Sequence, residues 1–211
     1  MSAGRLTVVD HPLVQHKLGY LRDRETPTVH FRKLANEITL LLTYEATKDM
    51  PTEPHEIETP LERMTAQRIH GKKVAVCPVL RAGMGMLDGV LSLVSSARVG
   101  FIGLYRDEET LEAVQYFVKL PVDLAERDAI VLDPMLATGH SSCAAIDVVK
   151  DAGAQAVTLV CIVAAPEGIE EVHAHHPDVH IVCAAVDRGL NEHGYILPGL
   201  GDAGDRLYGT K

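Results

Sequence analysis

Residues 130–142 read IVLDPMLATGHSS. Three apolar residues run into an aspartate and a proline, and a string of small residues follows, ending in two serines. A buried strand that stops on a carboxylate and opens at once into so little side-chain bulk suits an anion cradle. The strand is predicted to end near Asp133 and a helix to begin near Ser141. The turn between them, Ala137-Thr138-Gly139-His140-Ser141, would aim backbone N–H groups at one point. Those donors, the helix dipole and the hydroxyls of Thr138, Ser141 and Ser142 suit a phosphomonoester dianion. Asp133 at the cradle's edge would repel phosphate but accept hydrogen bonds from sugar hydroxyls, so the pairing points to a ribose 5-phosphate. The plainer alternative is an ordinary strand-to-helix connection with Ser141 as N-cap. A Walker P-loop is excluded, because GxxxxGK[ST] occurs nowhere in the chain.

Outward from this stretch the pattern is strands alternating with helices. Short β-branched runs lie at Val74–Leu80, Val99–Leu104, Ala129–Leu132, Val157–Val163 and His180–Val186. Helix-compatible stretches lie at Met84–Val94, Ser141–Asp151 and Glu167–His175. Alternation of this kind predicts an α/β fold, a parallel sheet with helices on both faces and ligands along the strands' carboxyl edge. Val99–Leu104 and Tyr116–Leu120 flank RDEETLEAVQ, too short for a crossover helix, so a hairpin with a mobile tip is expected there. The first seventy residues read as helical, with apolar residues recurring at Phe31, Leu34, Ile38, Leu41 and Leu42 and breaks at Pro51, Pro54 and Pro60. After Asp187 the chain is rich in glycine, which rules out regular structure through most of that stretch. The expectation is a single domain over 1–211: a helical arm (1–70), a core (71–186) and a C-terminal hood (187–211).

Composition narrows the function classes. Apolar residues make up 46% of the 211, as a globular chain requires. Lys and Arg number 20 against 29 Asp and Glu, a net charge of −9, the wrong balance for a non-specific nucleic-acid binder. No run approaches a membrane span; the longest apolar one, Ala156 to Ala165, reads as a central strand. Cys77, Cys143, Cys161 and Cys183 lie far apart in apolar surroundings without a CxxC pair, so buried thiols and a reducing cytoplasm are expected. His173, His175 and His176, with His180 nearby, read as a solvated helix end in preference to a metal site.

DPMLATG with a small-residue helix start resembles the ribose-phosphate loop of the uracil phosphoribosyltransferase family. His11–Leu18 (HPLVQHKL), Pro78–Met86 (PVLRAGMGM), Leu104–Thr110 (LYRDEET) and Leu190–Arg206 (LNEHGYILPGLGDAGDR) are similar to the same family, in order along almost the entire chain. The resemblance implies a type I phosphoribosyltransferase core joining uracil to 5-phospho-α-D-ribose 1-diphosphate (PRPP), giving UMP and diphosphate. It implies PRPP contacts from Arg81, Arg106, Asp202 and the loop Asp133, Pro134, Met135, Leu136, Ala137, Thr138, Gly139, His140 and Ser141. It places uracil at Ile196, Gly201, Asp202 and Ala203, and gives Asp133, Arg106 and Asp202 the catalytic roles. It also implies a homodimer or higher homo-oligomer and, as in some relatives, GTP as an effector.

The residues bear on these roles directly. Arg81 precedes Ala82-Gly83-Met84-Gly85, whose small side chains allow close approach of main-chain N–H groups to a diphosphate. Arg106 lies at the base of the excursion, placed to close over that group. Mg²⁺ is expected as cofactor, carried by the diphosphate without direct protein ligation, because two arginines cannot balance several phosphate charges. Asp202 is the acid best placed to face it. The competing dinucleotide fingerprint, with Gly83, Gly85 and Asp107 downstream, fails where Asp88 replaces the third glycine. GDAGDR lacks the alternating oxygens of an EF-hand, which argues against Ca²⁺. Uracil offers acceptor, donor, acceptor along O2, N3 and O4, and the irregular main chain near Ile196 and Gly201–Ala203 can supply the complement. Tyr195 either stacks on the base or is packing. A glycine-rich tail ordered only by dimerisation is the plainer alternative there. Two departures stand out: Pro134 follows Asp133, as in the uracil branch, and position 140 is His where those enzymes usually carry a second Gly. That side chain either alters the approach to phosphate or points outward. A regulatory protein that keeps the fold to sense nucleotides through RNA is the second class, and the acidity and the intact substrate motifs both speak against it.

Overall fold

Ten residues at Ala156–Ala165 form the most apolar part of the chain, and the sheet is built around them. The computed structural model describes residues 4–72, 74–106 and 113–210. In chain order the first half comprises β1 (Leu6–Val8), α1 (Pro12–Arg22), α2 (Thr28–Ala46), β2 (Thr52–Glu58), β3 (Arg63–Ile69), β4 (Ala75–Leu80), α3 (Met84–Leu93), β5 (Arg98–Val99), β6 (Phe101–Arg106) and β7 (Ala113–Lys119). The second half comprises β8 (Ala129–Leu132), β9 (Met135–Leu136), α4 (His140–Asp151), β10 (Val157–Ala164), α5 (Pro166–His175), β11 (His180–Val186), β12 (Gly189–Leu190), β13 (Ile196–Leu197) and α6 (Ala203–Tyr208).

The main sheet runs β1-β11-β10-β8-β4-β6-β7, with β5 beside β4 and β9 beside β10. Every pairing in it is parallel except β6 with β7. In β10 only Thr158 is not buried, because apolar layers cover both faces as a parallel sheet demands. Val160 and Ile162 face a layer that includes Leu18 of α1, Phe31, Ile38 and Leu42 of α2, Met86 of α3 and Leu207 of α6. Leu159 and Cys161 face the opposite layer, with Ile146 and Val149 of α4 and Val172 of α5. All four cysteines are free and buried, as their apolar context predicts.

The α/β alternation is as the sequence predicts, and β6 with β7 forms the expected antiparallel excursion. Its tip at Asp107–Thr110 lies outside the described residues. The N-terminal expectation needs correction. Residues 1–70 are not a purely helical arm: β1 joins the main sheet beside β11, and β2 with β3 forms a separate two-stranded ribbon. The ribbon is exposed along most of both strands, so no buried face imposes the period-two alternation by which strands are recognised. Pro54 sits within β2 opposite Gln67, and Pro60 lies in a turn closed by Thr59 N–H donating to the Glu62 carbonyl at 2.9 Å. No helix among the described residues is long and apolar enough to cross a membrane.

Candidate active site

The site follows from strand order. β8, β4 and β6 are neighbours in parallel, so Asp133, Arg81 and Arg106, each at or just past a strand's carboxyl end, fall along one sheet edge about 4.8 Å apart per strand. The β8–α4 connection is more structured than a plain turn. After Asp133 the chain makes β9, pairing Met135 with Val163 and Leu136 with Ala164, and only then opens. This extra pairing fixes the start of the loop, and two residues gave too little signal to foresee it.

From Thr138 to Ser142 none of the backbone N–H groups donates to a carbonyl among the described residues; the first that does is Cys143, to Gly139 at 2.8 Å. Ala137 is a correction to the expected cradle: its N–H is already taken by the Met135 carbonyl at 3.1 Å. The open donors are therefore the last part of the loop and the first turn of α4. Gly139 holds them in shape. Its φ is +88°, and a Cβ there would stand 2.8 Å from Glu171 Cβ and 3.0 Å from the Gly168 carbonyl of α5. The Ser142 hydroxyl is the second correction. It is buried and donates to Asp133 Oδ2 at 3.4 Å, so it serves the carboxylate.

Asp133 also accepts from Met135 N–H at 3.4 Å. It retains some exposure to the cavity, yet the surrounding protein encloses its carboxyl enough that burial pushes the pKa up to about 6, with those two hydrogen bonds pulling the other way. A cavity of about 220 Å³ is lined by Asp133, Met135, Ala137, Thr138, Gly139, Ser141, Ser142 and Gly194. Pro134 and Leu136 are buried and line neither it nor the neighbouring cavity. The His140 side chain is not part of that lining; it is half exposed and turns away from the cradle toward α5, with Nε2 3.8 Å from Glu171 Oε1.

A second cavity of about 150 Å³ shares Met135, Ala137 and Gly194 with the first and adds Tyr195, Ile196, Gly201, Asp202 and Ala203. The four residues expected at the base thus converge, beside the cradle. Asp202 caps α6, its Oδ1 accepting from Asp205 N–H at 2.8 Å. Arg81 is not in either lining. Its exposed side chain lies 5.9 Å from the Tyr208 ring, and the Tyr208 hydroxyl donates to the Arg81 carbonyl at 2.8 Å. The Leu80–Arg81 and Leu197–Pro198 peptides are cis. Arg106 ends β6, and its side chain lies outside the described part of the structure.

The family profile described as uracil phosphoribosyltransferase matches residues 8–210. The chain belongs to the uracil phosphoribosyltransferase family. It is 57% identical over 208 residues to the uracil phosphoribosyltransferase of Geobacillus kaustophilus, spanning 99% of this chain and all of the relative. It is 58% identical over 204 residues to that of a Thermoanaerobacter species, spanning 97% of each. The solved AQ2163 protein of Aquifex aeolicus superposes with a TM-score of 0.93 at 38% identity, covering 98% of this chain and 99% of that one. An adenine phosphoribosyltransferase from Thermoanaerobacter pseudethanolicus shares the fold alone, with a TM-score of 0.51 at 11% identity, covering 76% and 85%. The architecture is the type I phosphoribosyltransferase fold.

Three residues with no role assigned from sequence fix the main chain that leads into the second cavity of this uracil phosphoribosyltransferase family member. Arg22, the last residue of α1, donates from Nη1 and Nη2 to Asp187 at 2.7 and 2.6 Å and from Nη1 to the Gly199 carbonyl at 2.6 Å. Asp187 in turn accepts from Gly199 N–H at 2.9 Å. Arg206 lies 4.4 Å from the Phe31 ring and donates to the carbonyls of Leu21 and Leu200 at 2.7 and 2.9 Å. These contacts span up to 185 positions, beyond any local pattern. The histidine expectation also changes. His175 is exposed, but His176 is buried, with Nδ1 3.4 Å from Lys150 Nζ, and burial lowers its pKa. His180 Nε2 instead meets Thr7 Oγ1 at 2.9 Å.

Proposed function

We propose the following division of labour for the reaction of this family. The enzyme converts uracil and PRPP to UMP and diphosphate. The observation that carries the assignment of residues is the joining of two cavities through Met135, Ala137 and Gly194. One offers unpaired amides, the other an irregular main chain, so a 5′-phosphate and a base can be held on either side of one ribose.

The amides of Thr138–Ser141 and the positive end of α4 hold the 5′-phosphate. The Asp133 carboxylate, ionised above about pH 6, accepts from the ribose hydroxyls and favours the positive charge that develops on the sugar. Main-chain groups of Ile196 and Gly201–Ala203 read the O2, N3 and O4 edge of uracil, and cytosine leaves two of them unpaired. Arg81 and Arg106 share the sheet edge with Asp133, and both are assigned here to the leaving diphosphate. Mg²⁺ supplies charge neutralisation of that leaving group when bound. Carboxylates of Asp133 and Asp202 line the cavities, but no three metal-ligating side chains gather there among the described residues. That set fits an ion held mainly by diphosphate and water. Asp202, with one oxygen committed to its cap, has the other for the ion's waters or the sugar.

A homo-oligomer belongs to the same reading, since a two-stranded ribbon is marginal alone and β2–β3 exposes Ile57, Leu61 and Met64. GTP enters as an effector of that assembly. UMP formation from uracil and PRPP, followed with and without Mg²⁺ and GTP and with cytosine in place of uracil, tests the scheme. UMP formed without Mg²⁺, or cytosine used as readily as uracil, would refute the corresponding part.

A further inference from the structure

Between α4 and α5, outside the linings of both cavities, three chemically different donors converge. Cys143 Sγ, a carboxylate oxygen of Glu171 and an imidazole nitrogen of His175 lie within 4.8 Å of one another. The sequence spacing is helical: Glu171 and His175 are one turn apart on α5, and His140 and Cys143 one turn apart on α4. His140 therefore turns toward the same point, its Nε2 3.8 Å from Glu171 Oε1, while His175 Nδ1 stands 3.5 Å from that oxygen. We propose that Cys143, Glu171 and His175, with His140 as fourth ligand, hold one thiophilic divalent cation of the Zn²⁺ class.

Distance and chemistry both favour it. Tetrahedral bonds of about 2.0–2.3 Å place neighbouring ligand atoms about 3.3–3.8 Å apart. The separation of His140 Nε2 from Glu171 Oε1 already falls in that range. A sulfur and imidazole set selects Zn²⁺ over Mg²⁺, which takes oxygen ligands and keeps its waters. The His175 Nδ1 is 3.0 Å from the Glu171 carbonyl, and ligation through Nε2 preserves that bond as an outer support. Burial, with the Glu171 and Asp147 carboxylates adding to it, pushes the Cys143 thiol up to about 11. The unloaded thiol thus keeps its proton, and loading forms the metal–sulfur bond while releasing one proton to water. The ion would tie α5 to the first turn of α4, directly behind Gly139.

Metal-free full-length protein titrated with Co²⁺ tests this. The expected result is a thiolate-to-cobalt charge-transfer band saturating at one equivalent, removed by Zn²⁺ and unaffected by a large excess of Mg²⁺. Cys143→Ser should abolish the band, and Glu171→Gln and His175→Ala should each weaken Co²⁺ binding at least tenfold. UMP formation by Glu171→Gln should match the unaltered enzyme, which separates this site from the reaction. Absence of the band overturns the proposal, as does a band that survives Cys143→Ser or is indifferent to both Glu171→Gln and His175→Ala. Should Cys143→Ser fail to fold, the two α5 substitutions decide the matter, since both alter exposed or half-exposed side chains.

Discussion

The proposed phosphate cradle and the proposed base-binding hood adjoin in space but are built by opposite means. The cradle is local: one short stretch, Thr138–Ser142, leaves its amides unpaired because a helix starts there. The hood is assembled from a distance. Its main chain is irregular, and its shape depends on Arg22 and Arg206 gripping carbonyls and Asp187 across most of the chain. A local device tolerates change elsewhere; a long-range one fails when either end is lost.

Arg22→Ala should show the largest effect. It leaves the Asp187 side chain, only 6% exposed, without its cation, a loss of about 3–5 kcal/mol for a buried pair broken on one side. Denaturant unfolding reads the stability, and KM for uracil should rise more than KM for PRPP. Equal rises in both would break the distinction between the two regions. Gly139→Ala attacks the cradle instead. A side chain at φ +88° with Glu171 in its way costs about 1–3 kcal/mol of backbone strain. PRPP affinity should fall at least tenfold while uracil KM changes little, measured by steady-state kinetics.

Asp133 sharpens the contrast through pH. Its carboxyl is raised from 3.8 to about 6 in the folded chain. The folded state therefore holds more protons than the unfolded between those values, and this group's contribution to stability falls as pH rises through that window, then levels off. Function should run the other way, since the ionised form is the one proposed to bind ribose. The apparent PRPP affinity should drop below about pH 6 in the unaltered enzyme, and Asp133→Asn should be weak at every pH without that inflexion. An inflexion that persists in Asp133→Asn assigns it to another group. Tyr208→Phe should be smallest, removing one hydrogen bond to the exposed Arg81 carbonyl, about 0.5–1.5 kcal/mol, seen as a minor shift in melting temperature.

The same contrast explains what sequence could reveal. Ala129–Leu132 and His180–Val186 are strands with the bounds their apolar runs suggest, because burial on two faces writes an unbroken signal. Strand, turn and helix start of the cradle were legible because they are contiguous; the extra strand β9, Ala137, spent on Met135, and Ser142, turned to Asp133, depart from the expectation. The ribbon β2–β3 was not legible, as its exposed strands bury no face to set a period. Arg22 and Asp187 look like ordinary surface charges in one dimension, 165 positions apart. Nothing but the folded chain introduces them to each other.

The short strand β1 carries a practical consequence. By pairing Leu6, Thr7 and Val8 with Ile181, Val182 and Cys183, it covers the rim of β11, whose apolar backbone would otherwise be a template for another chain. Trimming the first eight residues would leave every residue proposed to touch substrate in place and still yield a protein prone to self-association into insoluble aggregates.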